Sequence, residues 1–265
     1  MSPPTLFVSH GSPTVALDPT PAHRFLRELG TRLGRPRAIF CVSAHWETAR
    51  PALTASPRPA TLHDFHGFPE ALYRLRYPAP GAPELAREVA DLLAAAGLAA
   101  ELDPERGLDH GAWVPLLLIY PQADIPVVQL SLQTALGPAH HRRLGEILAP
   151  LRARDVLILG SGALTHDLAD VLGRLRAGAT ATSDPPPAWA RAFAGWVRDV
   201  LARGDLEALV DYRRKAPGAG RAHPTEEHFL PLLVAAAAGG GRGTCLHESF
   251  EYGSLAMSVY AFPAA

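Results

Sequence analysis

The chain has 265 residues, of which 48% are hydrophobic and 19% are charged, and its formal net charge is -1. This composition is typical of a globular protein and excludes an intrinsically disordered chain. The balanced charge offers no basic surface for nucleic acid, and no apolar run is long enough to span a membrane. We therefore expect no nucleic-acid partner and no membrane, while the oligomeric state stays open.

The two cysteines, Cys41 and Cys245, are too few for a disulfide framework or for a cysteine zinc site. Cys41 lies in an apolar strand, where we expect a buried thiol. Pro3 and Pro4 stand where a signal peptide would carry its basic region. These features predict a cytoplasmic protein, and the length predicts a single domain over residues 1–265.

The first half of the chain is predicted to alternate between apolar strands and amphipathic helices. We predict strands over residues 5–10, 37–45, 51–56 and 98–102, and helices over residues 21–33, 69–73, 82–96 and 111–121. Residues 61–83 are rich in aromatic residues and proline, and we expect a long functional loop that carries the short helix at 69–73.

The second half continues the alternation. We predict strands over residues 125–132, 155–162, 244–252 and 254–262, and helices over residues 137–152, 165–175, 188–202 and 205–211. Residues 213–224 are predicted to be a loop, and a further helix is predicted to begin near its cap, Thr225. The last two strands are predicted to form a hairpin around Gly253. This pattern predicts an α/β fold with a mostly parallel or mixed central sheet flanked by helices.

Three histidines stand at the ends of predicted strands, and a fourth precedes a predicted helix. They are His10, His45, His166 and His223. The carboxyl ends of parallel strands meet in one crevice, and neutral imidazole is the commonest protein ligand for zinc, iron and copper. The sequence therefore predicts a site for one metal ion at the C-terminal ends of the strands.

Of the two histidines near the predicted helix start, we expect His223 to be the ligand. His228 lies five residues further on, about 140° around a helix from His223. We therefore expect His228 to be packed in the interior or to stand behind the ligands. No two histidines show the spacing of the HExxH zinc motif.

Several other residues allow two interpretations. Asp109 either orients His110 as an acid or base, or it only caps the helix that follows. His63 and His66 are expected at the surface or lining a pocket. Arg74 and Arg76 either attract a substrate carboxylate at the pocket mouth or are ordinary surface arginines.

Five segments together resemble a known family. They are SHGSP, SAHWE, GLDHGAWVPL, GSGALTHDL and HPTEEHFLPLL, and their order and spread cover nearly the whole chain. The chain resembles the class III extradiol ring-cleavage dioxygenases, in the DOPA 4,5-dioxygenase-like branch. The resemblance implies metal ligands at His10, His45 and His223. It also implies that His166 is a fourth ligand or the acid/base beside the metal, and that His110 lines the substrate pocket.

The resemblance also implies the chemistry. A divalent metal ion, Fe(II) for activity, would bind a catechol and O2, and a histidine would take a proton from the catechol and later return one. Superfamily sites commonly pair two histidines with a carboxylate, whereas a set of histidines alone suits Zn(II) as well as Fe(II). The alternative is therefore a zinc-binding protein on the same scaffold, either a hydrolase or a non-catalytic binding module.

Overall fold

The computed structural model describes residues 3–182 and 185–263. The strands are β1 Thr5–Ser9, β2 Ala38–Glu47, β3 Ala52–Thr54, β4 Glu101–Asp103, β5 Val127–Leu132, β6 Val156–Gly162, β7 Thr244–His247, β8 Phe250–Glu251, β9 Leu255–Ala256 and β10 Val259–Phe262. The α-helices are α1 Pro21–Leu33, α2 Glu70–Arg74, α3 Pro83–Ala95, α4 His110–Ile119, α5 Gly137–Leu148, α6 Leu168–Arg176, α7 Ala188–Arg203, α8 Leu206–Val210, α9 Tyr212–Lys215, α10 Ala219–Ala222 and α11 Leu230–Ala238.

A mixed sheet of eight strands forms the centre of the molecule, in the order β4-β3-β5-β2-β6-β1-β10-β7. The four central strands β5, β2, β6 and β1 are parallel to one another, and β3 and β10 flank them in antiparallel pairs. The central strands are nearly continuous apolar runs, as expected of parallel strands covered on both faces. The predicted α/β class with a central mixed sheet flanked by helices is confirmed.

Helices cover both faces of the sheet. Side chains of β2 alternate between two cores, with Phe40 and Val42 in one and Ile39 and Cys41 in the other, because successive side chains of a strand point to opposite faces. Helices α3, α5, α7 and α11 close the first core, and α1 and α4 close the second. Cys41 is fully buried, as predicted.

Two glycines let α11 and the turn before it approach β6 closely. A Cβ at Gly160 would overlap the carbonyl oxygen of Pro231, and a Cβ at Gly162 would overlap that of His228. The amide of Ala163 donates to the His228 carbonyl at 3.0 Å. The small residues at the end of β6 therefore place His228 beside the carboxyl ends of the central strands.

Two predicted elements differ from the structure. Residues 213–224 were expected to form a loop but contain most of α9 and all of α10. The helix expected to begin near Thr225 begins at Leu230. Pro231 explains this start, because a proline fits the first turn of a helix, where its missing N–H is not needed.

The end of the chain follows the prediction in part. Strands β8 and β9 pair in an antiparallel hairpin around Gly253. Each of the two long predicted strands is interrupted, however, and the segments further from Gly253, β7 and β10, join the main sheet. Among the described helices, none is both long and apolar enough to cross a bilayer.

Candidate active site

The ends of β1 and β2 bring two predicted histidines together. His10 directly follows β1, and its amide donates to the carbonyl of Gly162 in β6 at 2.9 Å. His45 lies near the end of β2, which also runs parallel to β6. The Nε2 atoms of His10 and His45 are 3.0 Å apart.

A third imidazole reaches the same point from the turn before α11. One ring nitrogen each of His10, His45 and His228 lie within 4.8 Å of one another. The Nε2 atom of His228 is buried and has no hydrogen-bond partner among the described residues. The cluster of His10, His45 and His228 therefore points its nitrogens at a common centre.

His223 does not lie in this cluster, contrary to the expectation from its sequence position. Its side chain is fully buried, and its Nε2–H donates to the carbonyl of Leu164 at 2.9 Å. Its ring packs against Phe193 and Phe229. The expected positions of His223 and His228 are exchanged. The helix begins five residues later than predicted, so His228 stands in a turn that faces the strand ends.

In two of the three rings, a hydrogen bond on the nitrogen that faces away from the cluster fixes the orientation of the ring. The Ser161 hydroxyl donates to the carbonyl of Gly111, so it accepts from the Nδ1–H of His10 at 3.0 Å. The carboxylate of Glu227 accepts from the Nδ1–H of His228 at 2.9 Å. In both rings the proton is on Nδ1, which leaves a lone pair on Nε2 that faces the cluster.

The cluster is neutral at pH 7. Burial and then mutual repulsion lower the pKa of His10 and of His228, and burial followed by the repulsion of His110 lowers the pKa of His45 to about 3. Converging neutral imidazoles with an unpaired buried lone pair fit a divalent metal ion. An all-imidazole set suits both iron and zinc, so the cluster indicates one metal ion without specifying the element.

His110 opens α4 and contacts the cluster from one side, with its ring centroid 3.9 Å from that of His45. Its carboxylate partner is Asp64, which accepts from the His110 amide at 2.9 Å and from its Nδ1–H at 3.0 Å. Asp109 caps α4 by accepting from the amide of Ala112. The capping interpretation of Asp109 is therefore correct, and a different carboxylate orients His110.

Burial by itself would raise the pKa of Asp64, but the hydrogen bonds from His110 outweigh it and lower that pKa to about 2. Asp64 is therefore ionised at neutral pH and holds the proton of His110 on Nδ1. With the Nδ1 proton held in this way, the neutral ring of His110 presents Nε2 as the proton acceptor, which is the form a general base requires.

His166 lies beside His228, in the segment between β6 and α6. Its ring stacks on that of His228, with centroids 3.4 Å apart and an interplanar angle of 12°. Burial lowers its pKa, so the ring is neutral at pH 7. His166 is close enough to the cluster either to add a nitrogen ligand or to exchange protons with a bound molecule.

The cluster forms the base of a cavity of about 700 Å³, a volume within the range of about 300–1,000 Å³ that small-molecule sites span. The residues that line it include His10, Gly11, Ser12, Thr14, His45, Glu47, Phe65, His66, Phe68, His110, His166, Asp167, Leu168, Val171, Leu172, Leu175, Glu227, His228, Tyr252 and Leu255.

Arg74 and Arg76, the two arginines that could attract a substrate carboxylate, do not line the cavity. Arg74 pairs with Glu70 at 2.8 Å, and Arg76 donates to the backbone carbonyls of Tyr73 and Leu75. These contacts favour the interpretation of both as ordinary surface arginines.

Sequence reasoning did not place His228 in the cluster, and it missed the orienting groups Asp64, Glu227 and Ser161. Pro231 was a usable signal for His228, because a proline near a helix start would have shifted the predicted beginning of α11. No local signal marks Asp64 as the partner of His110, since the two are 46 positions apart.

Known proteins resemble the chain over almost its whole length. A sequence profile of the family described as the catalytic LigB subunit of aromatic ring-opening dioxygenase matches residues 4–263. A "4,5-DOPA dioxygenase extradiol" of Beta vulgaris is 44% identical over 97% of this chain and 96% of its own. A protein of the same name from Escherichia coli K12 is 42% identical over 96% of this chain and 92% of its own.

A solved structure agrees with these matches. The crystal structure of an uncharacterized protein from Escherichia coli K12 superposes with a TM-score of 0.80 and 36% identity, covering 98% of this chain and 100% of that one. The family match and the full-length relatives coincide with a histidine cluster at the base of a cavity. The chain therefore belongs to the LigB family of aromatic ring-opening dioxygenases.

Proposed function

We propose that this protein is a metal-dependent extradiol dioxygenase, which inserts O2 into a catechol ring next to the diol. The observation that carries the proposal is the cluster of three neutral imidazoles in the lining of a cavity, with His110 beside His45 and His166 beside His228. Full-length relatives that bear the name 4,5-DOPA dioxygenase extradiol support the same activity.

The proposed metal ligands are His10, His45 and His228, with His166 as a fourth ligand or as an acid/base group. His228 replaces the predicted His223, whose Nε2 is occupied by the carbonyl of Leu164. The metal is proposed to be Fe(II) in the active enzyme. A bound divalent metal would supply the Lewis acidity that lowers the pKa of a catechol hydroxyl, and it would pass electron density from the catecholate, which is the reductant, to O2.

The residues around the cluster supply proton transfer. The Nε2 atom of His110 accepts a proton from a catechol hydroxyl, and the ionised Asp64 then stabilises the imidazolium through the Nδ1–H hydrogen bond. His166 is neutral at pH 7 and stacks on His228, so in its acid/base role it would be the second group that holds or returns a proton.

The walls of the cavity control access of water. Phe65, Phe68, Val171 and Leu255 bring apolar groups to the lining close to the histidines. A substrate seated there displaces water from the reacting groups, which strengthens the interactions of charges within the site.

Anaerobic reconstitution with Fe(II), followed by exposure of the protein to O2 and a panel of catechols, tests this proposal. We expect O2 consumption in step with the coloured ring-opened product, and no product from the Zn(II)-loaded protein. Failure of every catechol with a full complement of Fe(II) would contradict the proposal and favour the zinc-binding alternative, which the all-histidine cluster also suits.

A further inference from the structure

His45 lies in an irregular part of β2. The pairing of this strand with β6 ends at Ser43, and its pairing with β5 shifts register between Val42 and Glu47. The amide of His45 donates to the hydroxyl of Ser43 at 3.2 Å. Irregular pairing redirects side chains and is frequent beside active sites. The place of the His45 ring therefore depends on what holds the Ser43 hydroxyl and the His45 carbonyl.

The segment that precedes α4, residues 106–109, holds both of these groups. A guanidinium NH2 group of Arg106 donates to the carbonyl of His45 at 3.4 Å. The hydroxyl of Ser43 donates to the carboxylate of Asp109 at 2.7 Å. The guanidinium lies 3.7 Å from the same carboxylate, so the two side chains act on the His45 backbone together. We call them the Arg106–Asp109 pair.

Asp109 is the buried member of the pair and has no exposed surface. Besides the Ser43 hydroxyl, its carboxylate accepts from the amide of Ala112 in α4 at 3.1 Å and from the side-chain amide of Gln129 in β5. Burial raises the pKa of Asp109, and the hydrogen bonds from Ser43 and Gln129 oppose this rise. Hydrogen bonds to a carboxylate are among the strong ones, so Asp109 fixes β2, β5 and α4 relative to one another.

Arg106 is the partly exposed member, with 26% of its side chain accessible to solvent. Its guanidinium lies over the ring of Trp46, 5.0 Å from the ring centroid, and Trp46 directly follows His45. A planar guanidinium stacks on an aromatic ring and still donates through its nitrogens, whereas a lysine ammonium is a point charge. The contact with Trp46 therefore fixes the donor that the His45 carbonyl uses.

The same segment leads directly into His110. The ring centroid of His110 is 3.9 Å from that of His45. A Cβ at Gly111 would overlap the Ser43 hydroxyl and crowd the His45 ring, so α4 packs on this part of β2 without an intervening side chain. Movement of residues 106–109 therefore changes the spacing between His45, a proposed metal ligand, and His110, the proposed base.

We propose that Arg106 and Asp109 are positioning residues for ring opening. Through the backbone of His45 and the start of α4, they hold His45 and His110 at the spacing that proton transfer from the catechol requires. Neither residue of the pair lines the cavity, so both act through the two histidines. The inference rests on the proposed function. A displacement of about 1 Å can reduce a rate about 100-fold, so a small change at the pair is measurable.

Arg106→Ala tests the pair in the Fe(II)-loaded protein. We expect kcat for catechol cleavage to fall about 10- to 100-fold, with little change in KM or metal content, because the ring nitrogens of the histidines remain. Guanidinium ion at low millimolar concentration should then raise kcat about 3- to 10-fold, the equivalent of one regained hydrogen bond. The ion can enter because the vacated position is open to solvent.

Arg142→Ala is the matched control. The Arg142 side chain is 29% exposed, pairs with the carboxylate of Glu146 at 2.9 Å and does not line the cavity. This variant should keep the kcat of the unmodified protein, with and without guanidinium.

The visible absorption of the Co(II)-loaded protein gives a readout that needs no turnover, because the d–d bands of Co(II) respond to ligand geometry. We expect these bands to shift in Arg106→Ala and to return toward the unmodified spectrum when guanidinium is added. They should stay unchanged in Arg142→Ala.

A double-mutant cycle tests whether the two residues act together. Asp109→Asn removes the charge and keeps the cap of α4, since asparagine is an equally good N-cap. The side chain of Gln129 can turn its Oε1, which is buried without a partner among the described residues, toward the new amide. The kcat of Arg106→Ala/Asp109→Asn should lie within about twofold of the worse single variant. Losses that multiply would contradict joint action of the pair.

The remaining outcomes separate this inference from the proposed function. An unchanged kcat and an unchanged Co(II) spectrum in Arg106→Ala would overturn it. A lower free energy of unfolding, with no response to guanidinium and no spectral shift, would assign the pair to stability alone and overturn it as well. If the unmodified protein opens no catechol, the proposed function fails, and the Co(II) spectra of the same variants still decide whether the pair positions His45. A protein that takes up no Co(II) would overturn both.

Discussion

Each oriented imidazole of the site is fixed by a hydrogen bond on the nitrogen that faces away from the cavity. Ser161 holds His10, Glu227 holds His228 and Asp64 holds His110. Such partners set the tautomer and the ring direction of a ligating or catalytic histidine. The reactivity of the site is therefore determined by pairs of residues as well as by the histidines themselves.

The proposal that His228, and not His223, is a metal ligand gives a direct prediction. His228→Leu should reduce bound metal from about one ion per chain to nearly none, because a converging nitrogen is lost. His223→Leu should keep its metal but lower the free energy of unfolding by about 1–3 kcal/mol, because the buried carbonyl of Leu164 loses its donor. Elemental analysis and denaturant unfolding of both variants measure these effects.

These two variants are matched controls for each other, since both histidines are almost fully buried. Full metal content in His228→Leu, together with loss of metal from His223→Leu, would show that the cluster geometry is not the metal site.

Asp64→Asn tests the orientation of His110. The amide cannot stabilise an imidazolium, and it no longer selects the tautomer with the proton on Nδ1. We expect kcat for catechol cleavage to fall about 10- to 100-fold, while metal content and KM change little. Asp91→Asn, at an exposed position of α3, is the control. An unchanged kcat in Asp64→Asn would remove Asp64 from the mechanism.

At the scale of single elements, the β8–β9 hairpin buries a carboxyl group. Glu251 is 1% exposed, and its Oε1 has no hydrogen-bond partner among the described residues. Burial, opposed in part by a hydrogen bond to Thr20, raises its pKa to about 7. Since this pKa lies above the unfolded value, the folded chain binds more protons than the unfolded chain between these two values.

Glu251 should therefore make the protein less stable as the pH rises. Its contribution is fully present below the unfolded pKa and is lost as the pH rises through about 7. From about pH 5.5 to pH 8.5, we expect the unmodified protein to lose on the order of 2 kcal/mol relative to Glu251→Gln. Denaturant unfolding of both proteins at the two pH values measures the difference, and parallel pH dependences would contradict this assignment.

At the scale of the whole molecule, the proposed metal ligands come from distant parts of the chain. His10 follows β1, His45 lies near the end of β2 and His228 precedes α11, so unfolding of the sheet must disperse the site. Metal binding should therefore stabilise the whole fold, because the unfolded chain does not assemble the ligands.

A free metal concentration about 100 times the Kd adds about 2.7 kcal/mol to the unfolding free energy. In a chain of this size that corresponds to a rise in Tm of roughly 5–10 °C. Thermal unfolding with metal and with chelator measures the shift, and His228→Leu should show almost none. An equal shift in that variant would mean that the metal stabilises the protein from another site.

Much of the fold could be predicted because each element carries its own signal. The apolar runs of β1, β2, β5 and β6 indicated buried parallel strands, and Pro83 with the helical stripe of α3 placed that helix within one residue at each end. The short helices α9 and α10 were not predicted, because elements of four residues have too little periodicity and are stabilised by their packing. The single domain over residues 1–265 and the cytoplasmic location stay predictions.

The sequence by itself determined that histidines stand at the ends of parallel strands, and hence that His10 and His45 meet, because strand direction and side-chain chemistry are local properties. Only the tertiary structure decided that His228 joins them and that Asp64 orients His110. The first depends on how closely α11 approaches the glycines of β6, and the second on a loop folding back over α4. These are packing relations between segments that are remote in sequence, and no local pattern encodes them.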